Sequence, residues 1–275
     1  MDGRAQVRDR VEIKSRDEIA RIREACLIVH DILRELADAV VPGMTTGEID
    51  RLAAARTRER GAEPAFLGYH GYPASICVSV NDEVVHGIPS PRRILREGDV
   101  VGLDFGVVYR GWYGDSARTV PVGAVSDEAH RLLETTEAAL GRAIAAARPD
   151  GRLGDLGGAV QAYVEARGFS VVRDFVGHGI GRRLHELPQV PNYGKPGTGM
   201  RLRPGMVLAL EPMVNAGAPD VETLDDGWTA VTVDGRLSAH FEHTVAITEN
   251  GPVILTLRDG APSGEERGSH QAGER

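Results

Sequence analysis

Residues 98–104, GDVVGLD, return as residues 205–211, GMVLALE, 107 positions later. The same offset relates Gly47-Glu48-Ile49 to Gly154-Asp155-Leu156 and Arg60-Gly61 to Arg167-Gly168. GYHG at residues 68–71 corresponds to VGHG at residues 176–179, one position further on. One such match is cheap, but four at a nearly constant offset mark an internal repeat, which sets architecture before any other feature does. The chain therefore folds as two related halves, about 15–122 and 123–257, packed about a pseudo-twofold axis.

Local signals repeat in the same order. Ser15 and Glu18 form a capping box ahead of Ile19, Ile22, Cys26, Val29, Leu33, Leu36 and Val40, whose spacing predicts an amphipathic helix that ends at Pro42-Gly43. Thr45 and Glu48 open a second helix that runs to about Arg60. Short β-rich runs follow from Ala74 to Thr119: SICVSV, DVVGLDFGVVY and ARTVPV. Two further helices, about 127–147 and 155–167, again precede strands. The order predicts an α+β fold.

Residues 1–14 and 258–275 are polar and read as flexible tails around a single catalytic domain, 15–257. No run approaches the roughly 20 apolar residues that span a bilayer, and the N-terminus lacks a secretory pattern, so a cytoplasmic protein is expected. A formal charge of −8 argues against specific nucleic-acid binding. Cys26 and Cys77 are too few and too far apart to signal a disulfide framework or a cysteine zinc site. Lys14 and Lys195 are the only lysines, which leaves little room for amine chemistry.

The repeat places a carboxylate on a carboxylate, Asp104 on Glu211, each at the end of an apolar run. Each is followed by a second acid in a polar setting: Asp115 in YGDSART and Glu242 in HFEHTV. An insertion in the second half, containing LDDGWT, accounts for the longer second interval and makes Asp115 and Glu242 symmetry mates. A lone acid of this kind is usually solvated or salt-bridged. Four from equivalent strands converge across a twofold axis and repel one another unless cations neutralise them. His178, between two glycines in VGHGIG, adds an imidazole. Oxygen-rich ligation with one nitrogen and no thiolate suits Mn, Fe, Co or Mg. The H-E-x-x-H and G-x-S-x-G plans are absent, and GHGIG lacks the G-x-G-x-x-G spacing of a dinucleotide turn.

These motifs, GYHGYPASICVSVNDEVVHGIP, LDFG, YGDSART, GHGIG with His185, ALEPM and HFEHT, occur in an order that resembles the type I methionine aminopeptidases over about residues 15–257. The resemblance implies the pita-bread fold, a curved antiparallel sheet backed by two helix pairs. It implies two divalent ions, Mn, Fe or Co, on Asp104, Asp115, His178, Glu211 and Glu242, with Asp115 and Glu242 bridging. It assigns His86 and His185 to the scissile peptide and Tyr69, Tyr72, Cys77 and Trp228 to the methionine pocket, while Glu211, as a ligand able to accept a proton from metal-bound water, is expected to be the acid/base. The expected partners are peptides and nascent polypeptide N-termini, in proximity to the ribosome, and a monomer is expected. Leu184 and His240 depart from the family pattern, where Phe and Gln or Ala are common. His185 and Glu211 lie only 26 apart, without the long insertion of the type II enzymes. Two rivals share the fold: a proline-directed peptidase, which usually brings an additional N-terminal domain, and a non-catalytic binding protein that has lost its ligands.

Overall fold

Ser15 and Thr45 start the first two helices by the reciprocal exchange that their sequences announce. Ser15 Oγ accepts from the Glu18 amide at 3.3 Å while the Glu18 carboxylate accepts from the Ser15 amide at 2.9 Å, and Thr45 and Glu48 repeat the arrangement. The computed structural model describes residues 10–258. In chain order these form α1 (Arg16–Ala39), α2 (Thr46–Glu59), β1 (Glu63–Pro64), β2 (Cys77–Val80), β3 (Glu83–Val85), β4 (Val100–Tyr109) and β5 (Trp112–Pro121). The second half supplies α3 (Asp127–Ala146), α4 (Leu153–Glu165), β6 (Ser170–Val171), β7 (Gly177–Gly179), β8 (Glu186–Val190), β9 (Val207–Leu210) and β10 (Met213–Asn215). It ends with β11 (Val221–Thr223), β12 (Ala230–Thr232), β13 (Ser238–His240), β14 (His243–Thr248) and β15 (Gly251–Ile254).

Each half buries one apolar stripe of its helices against its own strands. Val29, Ile32 and Leu36 of α1 pack with Leu103, Phe105 and Val107 of β4. In the second half, Leu132 and Leu140 of α3 and Leu156 and Val160 of α4 pack with Leu208, Leu210 and Val245. All strand pairs are antiparallel. One four-stranded sheet joins β1, β4 and β2 with β5 on β4, and a five-stranded sheet runs β15-β14-β9-β7-β8. Two three-stranded sheets, β13-β10-β6 and β11-β12-β3, complete the curved surface. The inserted hairpin β11–β12 pairs across to β3 of the first half, with Ala230 opposite Val85.

The halves meet along a seam of hydroxyl donors. Ser116 Oγ donates to the Glu242 carbonyl at 2.6 Å, and Thr244 Oγ1 donates to the Asp115 carbonyl at 2.7 Å. The Glu242 amide donates to the Ala117 carbonyl at 2.8 Å. These three bonds set the backbones of Asp115 and Glu242 side by side. Both side chains are buried, as the symmetry of the repeat requires.

The N-terminal tail expected over residues 1–14 does not hold for its last part. Val11 is buried in the second-half core, the Lys14 amide donates to the Gly205 carbonyl at 2.7 Å, and the buried Lys14 ammonium pairs with the buried Glu186 carboxylate. A four-residue strap with one buried apolar side chain carries no periodicity, so its sequence reads as polar. Arg258, assigned to the C-terminal tail, pairs with Asp31 at 2.6 Å. Residues 1–9 and 259–275 lie outside the described residues. No described helix is long and apolar enough to cross a membrane.

Removing one member of a buried ion pair strands the other charge. Glu186 would keep only the amides of Arg182 and Arg183, at 2.9 and 3.2 Å. Lys14→Met is expected to cost about 3 kcal/mol in denaturant unfolding. An unchanged midpoint would show that the strap contributes nothing to stability.

Candidate metal centre

Asp104 lies on β4 opposite Ala117, and Asp115 lies on β5 opposite Gly106, so one hairpin carries both. Glu211 directly follows β9, Glu242 directly precedes β14, and these strands pair with Leu210 opposite His243. His178, in the middle of β7, pairs with Ala209 of β9. Antiparallel pairing thus groups the ligand candidates within each half, and the seam bonds of Ser116, Thr244 and the Glu242 amide bring the two groups to one wall. β7 is squeezed between β8 and β9: a Cβ at Gly177 would lie 2.4 Å from the Ala209 carbonyl, and one at Gly179 would lie 2.3 Å from that of Leu187. Only glycine on both sides lets His178 sit there.

All eleven residues singled out in the sequence line one cavity of about 820 Å³. Asp115, His178 and Glu242 are drawn tightest, each offering a ligand atom within 4.8 Å of the others. Glu211 Oε1 stands 3.5 Å from His178 Nε2. Asp104 borders the same cavity outside that tight group.

The electrostatics are those of a cation site. Burial pushes the Asp104 carboxyl up to about 7. Burial and the neighbouring acids hold Asp115, Glu211 and Glu242 well above the ordinary carboxylate range. Asp115 Oδ1 and Glu242 Oε1 are buried with no hydrogen-bond partner. Burial also depresses His178 to about 3, which keeps its imidazole neutral. Its Nδ1 faces the Gly179 carbonyl at 2.9 Å. A carbonyl only accepts, so Nδ1 carries the hydrogen and Nε2 presents a bare lone pair toward Glu211. That lone pair faces the Glu211 carboxyl at 3.5 Å, and Asp115 Oδ1 and Glu242 Oε1 go unpartnered nearby. The residues present therefore fit a divalent-cation centre.

Beside this cluster lies a wall of rings. Tyr69, in a single 3₁₀ turn (Tyr69–Gly71), meets His185 Nδ1 through its hydroxyl at 2.8 Å. The rings of His178 and His185 lie edge to face at 4.3 Å. Tyr72 donates to the Gly87 carbonyl at 2.9 Å and sets its ring against Trp228, 5.1 Å between centroids. Trp228 in turn lies 6.3 Å from His86. The cross-over of the inserted hairpin onto β3 carries Trp228 into this position. Asp226 fixes the turn by accepting from the amides of Trp228 and Thr229, both at 2.8 Å. Cys77 and Cys26 are buried free thiols.

His86 adopts φ 62°, a left-handed conformation seldom held by a residue with a side chain. Burial, then the charge of His185, lowers it to about 4, and His185 is lowered by burial and by His70. Both are neutral near pH 7. Phe66, Val85, Phe175 and Met213 line the same cavity and were not legible as site residues. Each is an ordinary apolar residue in sequence, and only the fold distinguishes a pocket wall from a core. Leu184 is buried and forms part of that wall. His240 is buried behind Glu211, with Nε2 at 3.7 Å from Oε2.

Known proteins resemble this chain in sequence and fold. Residues 20–249 match the model of metallopeptidase family M24. A methionine aminopeptidase of Clostridium perfringens is 53% identical over 245 residues, covering 89% of this chain and 98% of that protein. The crystal structure of a methionine aminopeptidase from Thermotoga maritima superimposes with a TM-score of 0.89 at 48% identity, covering 90% of this chain and 100% of that one. A prolidase from Pyrococcus furiosus is more distant, with a TM-score of 0.72 and 25% identity over 90% of this chain and 66% of that one. With a family match over most of its length and the pita-bread architecture of these neighbours, this chain belongs to metallopeptidase family M24.

Proposed function

We infer that this chain removes the N-terminal methionine from peptides and nascent proteins whose second residue is small. The observation that carries this reading is the adjacency of the acid-rich cluster to an apolar, ring-lined pocket within one cavity. The identity to methionine aminopeptidases over nearly their whole length supports it. Asp104, Asp115, His178, Glu211 and Glu242 are proposed to hold two divalent ions, Mn, Fe or Co, with Asp115 and Glu242 shared between them. When bound, such ions polarise a carbonyl and acidify water, so that hydrolysis needs no nucleophilic side chain.

The residues of the chain supply the rest. A carboxylate oxygen of Glu211 takes the proton of the attacking water and returns it to the leaving amine. Tyr69 O–H donates into His185 Nδ1, which leaves the hydrogen on Nε2 and makes that atom the donor to the carbonyl oxygen as it gains charge. His86, neutral and held in its strained conformation, faces the peptide beyond the scissile bond. Tyr69, Tyr72, Cys77 and Trp228 receive the unbranched thioether side chain, which fits irregular apolar walls. The cytoplasm, proximity to the ribosome and a monomeric state are proposed with the nascent-chain substrate.

Replacing Asp115 or Glu242 by Ala is expected to lower bound metal and to reduce turnover more than about a hundredfold, since both acids would neutralise the bound cations. His86→Ala and His185→Ala are expected to keep their metal while kcat falls about a hundredfold or more. Metal analysis beside steady-state kinetics separates the two classes, and loss of metal from the His185 variant would contradict its assignment.

Metal binding also has a pH signature. Asp104 is pushed up to about 7 and its neighbours are raised, so the cluster carries protons that cations must displace. Affinity should therefore rise with pH through about 7, with proton release on binding. Titration calorimetry in buffers of different ionisation enthalpy measures that release, and a buffer-independent heat would exclude it.

Substrate choice separates this reading from a proline-directed one. Cleavage is expected for Met-Gly, Met-Ala and Met-Ser peptides with free amines, with little for Met-Leu or Met-Glu and none after formylation. Efficient hydrolysis of Ala-Pro, with Met-Ala-Ser left intact, would favour the rival.

A further inference from the structure

Glu211 holds its two carboxylate oxygens between two imidazoles. Oε1 lies 3.5 Å from His178 Nε2, and Oε2 lies 3.7 Å from His240 Nε2. The two rings do not offer the same thing. His178 borders the cavity and presents a lone pair at Nε2, because its Nδ1 hydrogen is committed to the Gly179 carbonyl. His240 is not among the residues that border the cavity, and it takes no part in the tight ligand group. Its Nε2 is buried and has no hydrogen-bond partner among the described residues. A buried polar atom left in that condition is destabilising until it finds a partner. The Glu211 Oε2 atom in front of it is an acceptor, and an approach of about half an ångström brings the pair into N–H···O range.

The backbone of His240 cannot drift to avoid this contact. Thr119 Oγ1 accepts from the His240 amide at 2.9 Å and donates to its carbonyl at 3.0 Å, and His240 also pairs with Met213 on β10. Glu211 lies two residues before Met213, with its own carbonyl accepting from Asn192 Nδ2 at 3.0 Å. The imidazole is thus fixed to the seam between the halves, and the carboxylate in the connection from β9 to β10 is the group it can orient.

We propose that His240 is a positioning residue for Glu211: its Nε2–H donates to Oε2 and so turns Oε1, together with the His178 lone pair, toward the cation site. The assignment rests on Glu211 being a metal ligand, as inferred above. A hydrogen-bonding partner behind a ligating carboxylate typically changes metal affinity about 10- to 100-fold. It does so without touching the metal.

The test is cobalt titration of the metal-free protein, followed by calorimetry and visible absorption, with thermal melting of each metal-free variant as a folding control. His240→Leu removes the donor and is expected to weaken cobalt binding about tenfold or more and to alter the absorption bands. His240→Gln, whose amide N–H can span the same gap, is expected to restore affinity to within about threefold. His240→Asn is polar but too short to reach, so it should bind as loosely as Leu and stands in for it if the Leu variant does not fold. Wild-type affinity in the Leu or Asn variant, or a Gln variant no better than Asn, would overturn the positioning role. Failure of the wild-type protein to take up cobalt would instead overturn the metal-centre reading beneath it.

Discussion

Four carboxylates that share one buried cavity cannot all keep their charges without a counter-charge, and the rest of this molecule is arranged around that fact. Asp115 and Glu242 are locked by their backbones across the seam, so neither can retreat to solvent. Asp104, in the middle of β4 and not at the end of its apolar run, and Glu211, just past the end of β9, are both flanked by strands of apolar core. Burial raises the Asp104 carboxyl, and burial with the neighbouring acids raises that of Glu211, a repulsion that protonation or a bound cation would relieve. The folding cost of the site is carried by two well-filled cores, one in each half. A hydrolytic centre can be built this way because the scaffold, and not the site, supplies the stability.

Duplication explains how such a site arises from an unremarkable strand pattern. One antiparallel strand pair with two acids has a solvated face available; two such pairs meeting across a seam do not. The symmetry is then broken where chemistry requires direction. The second half contributes His178 and the inserted hairpin that carries Trp228 over to β3, while the first contributes His86 and the tyrosines of the turn beside it. Each half contributes two of the four acids, whereas the rings beside them do not repeat between the halves.

Much of this was legible in the sequence, for identifiable reasons. Capping boxes are local, so Ser15 and Thr45 mark their helices without help from the fold. The acids were legible because the repeat superimposes them, which turns four unremarkable residues into a set. The strap at Val11 and Lys14 was not legible, since its contacts lie more than a hundred residues away and four residues carry no period. Phe66, Phe175 and Met213 were equally hidden, because an apolar side chain facing a cavity has the same sequence signature as one facing a core. His240 stood out only as a departure from a family pattern; its place behind Glu211 required the register of β10 and β13.

We propose that two cations occupy the cavity between the halves. Anomalous diffraction from crystals of the cobalt-loaded protein tests it most directly. Two separate anomalous peaks are expected there, within coordination reach of Asp104, Asp115, His178, Glu211 and Glu242. A single peak, or peaks bound elsewhere with these five side chains left uncoordinated, would contradict it.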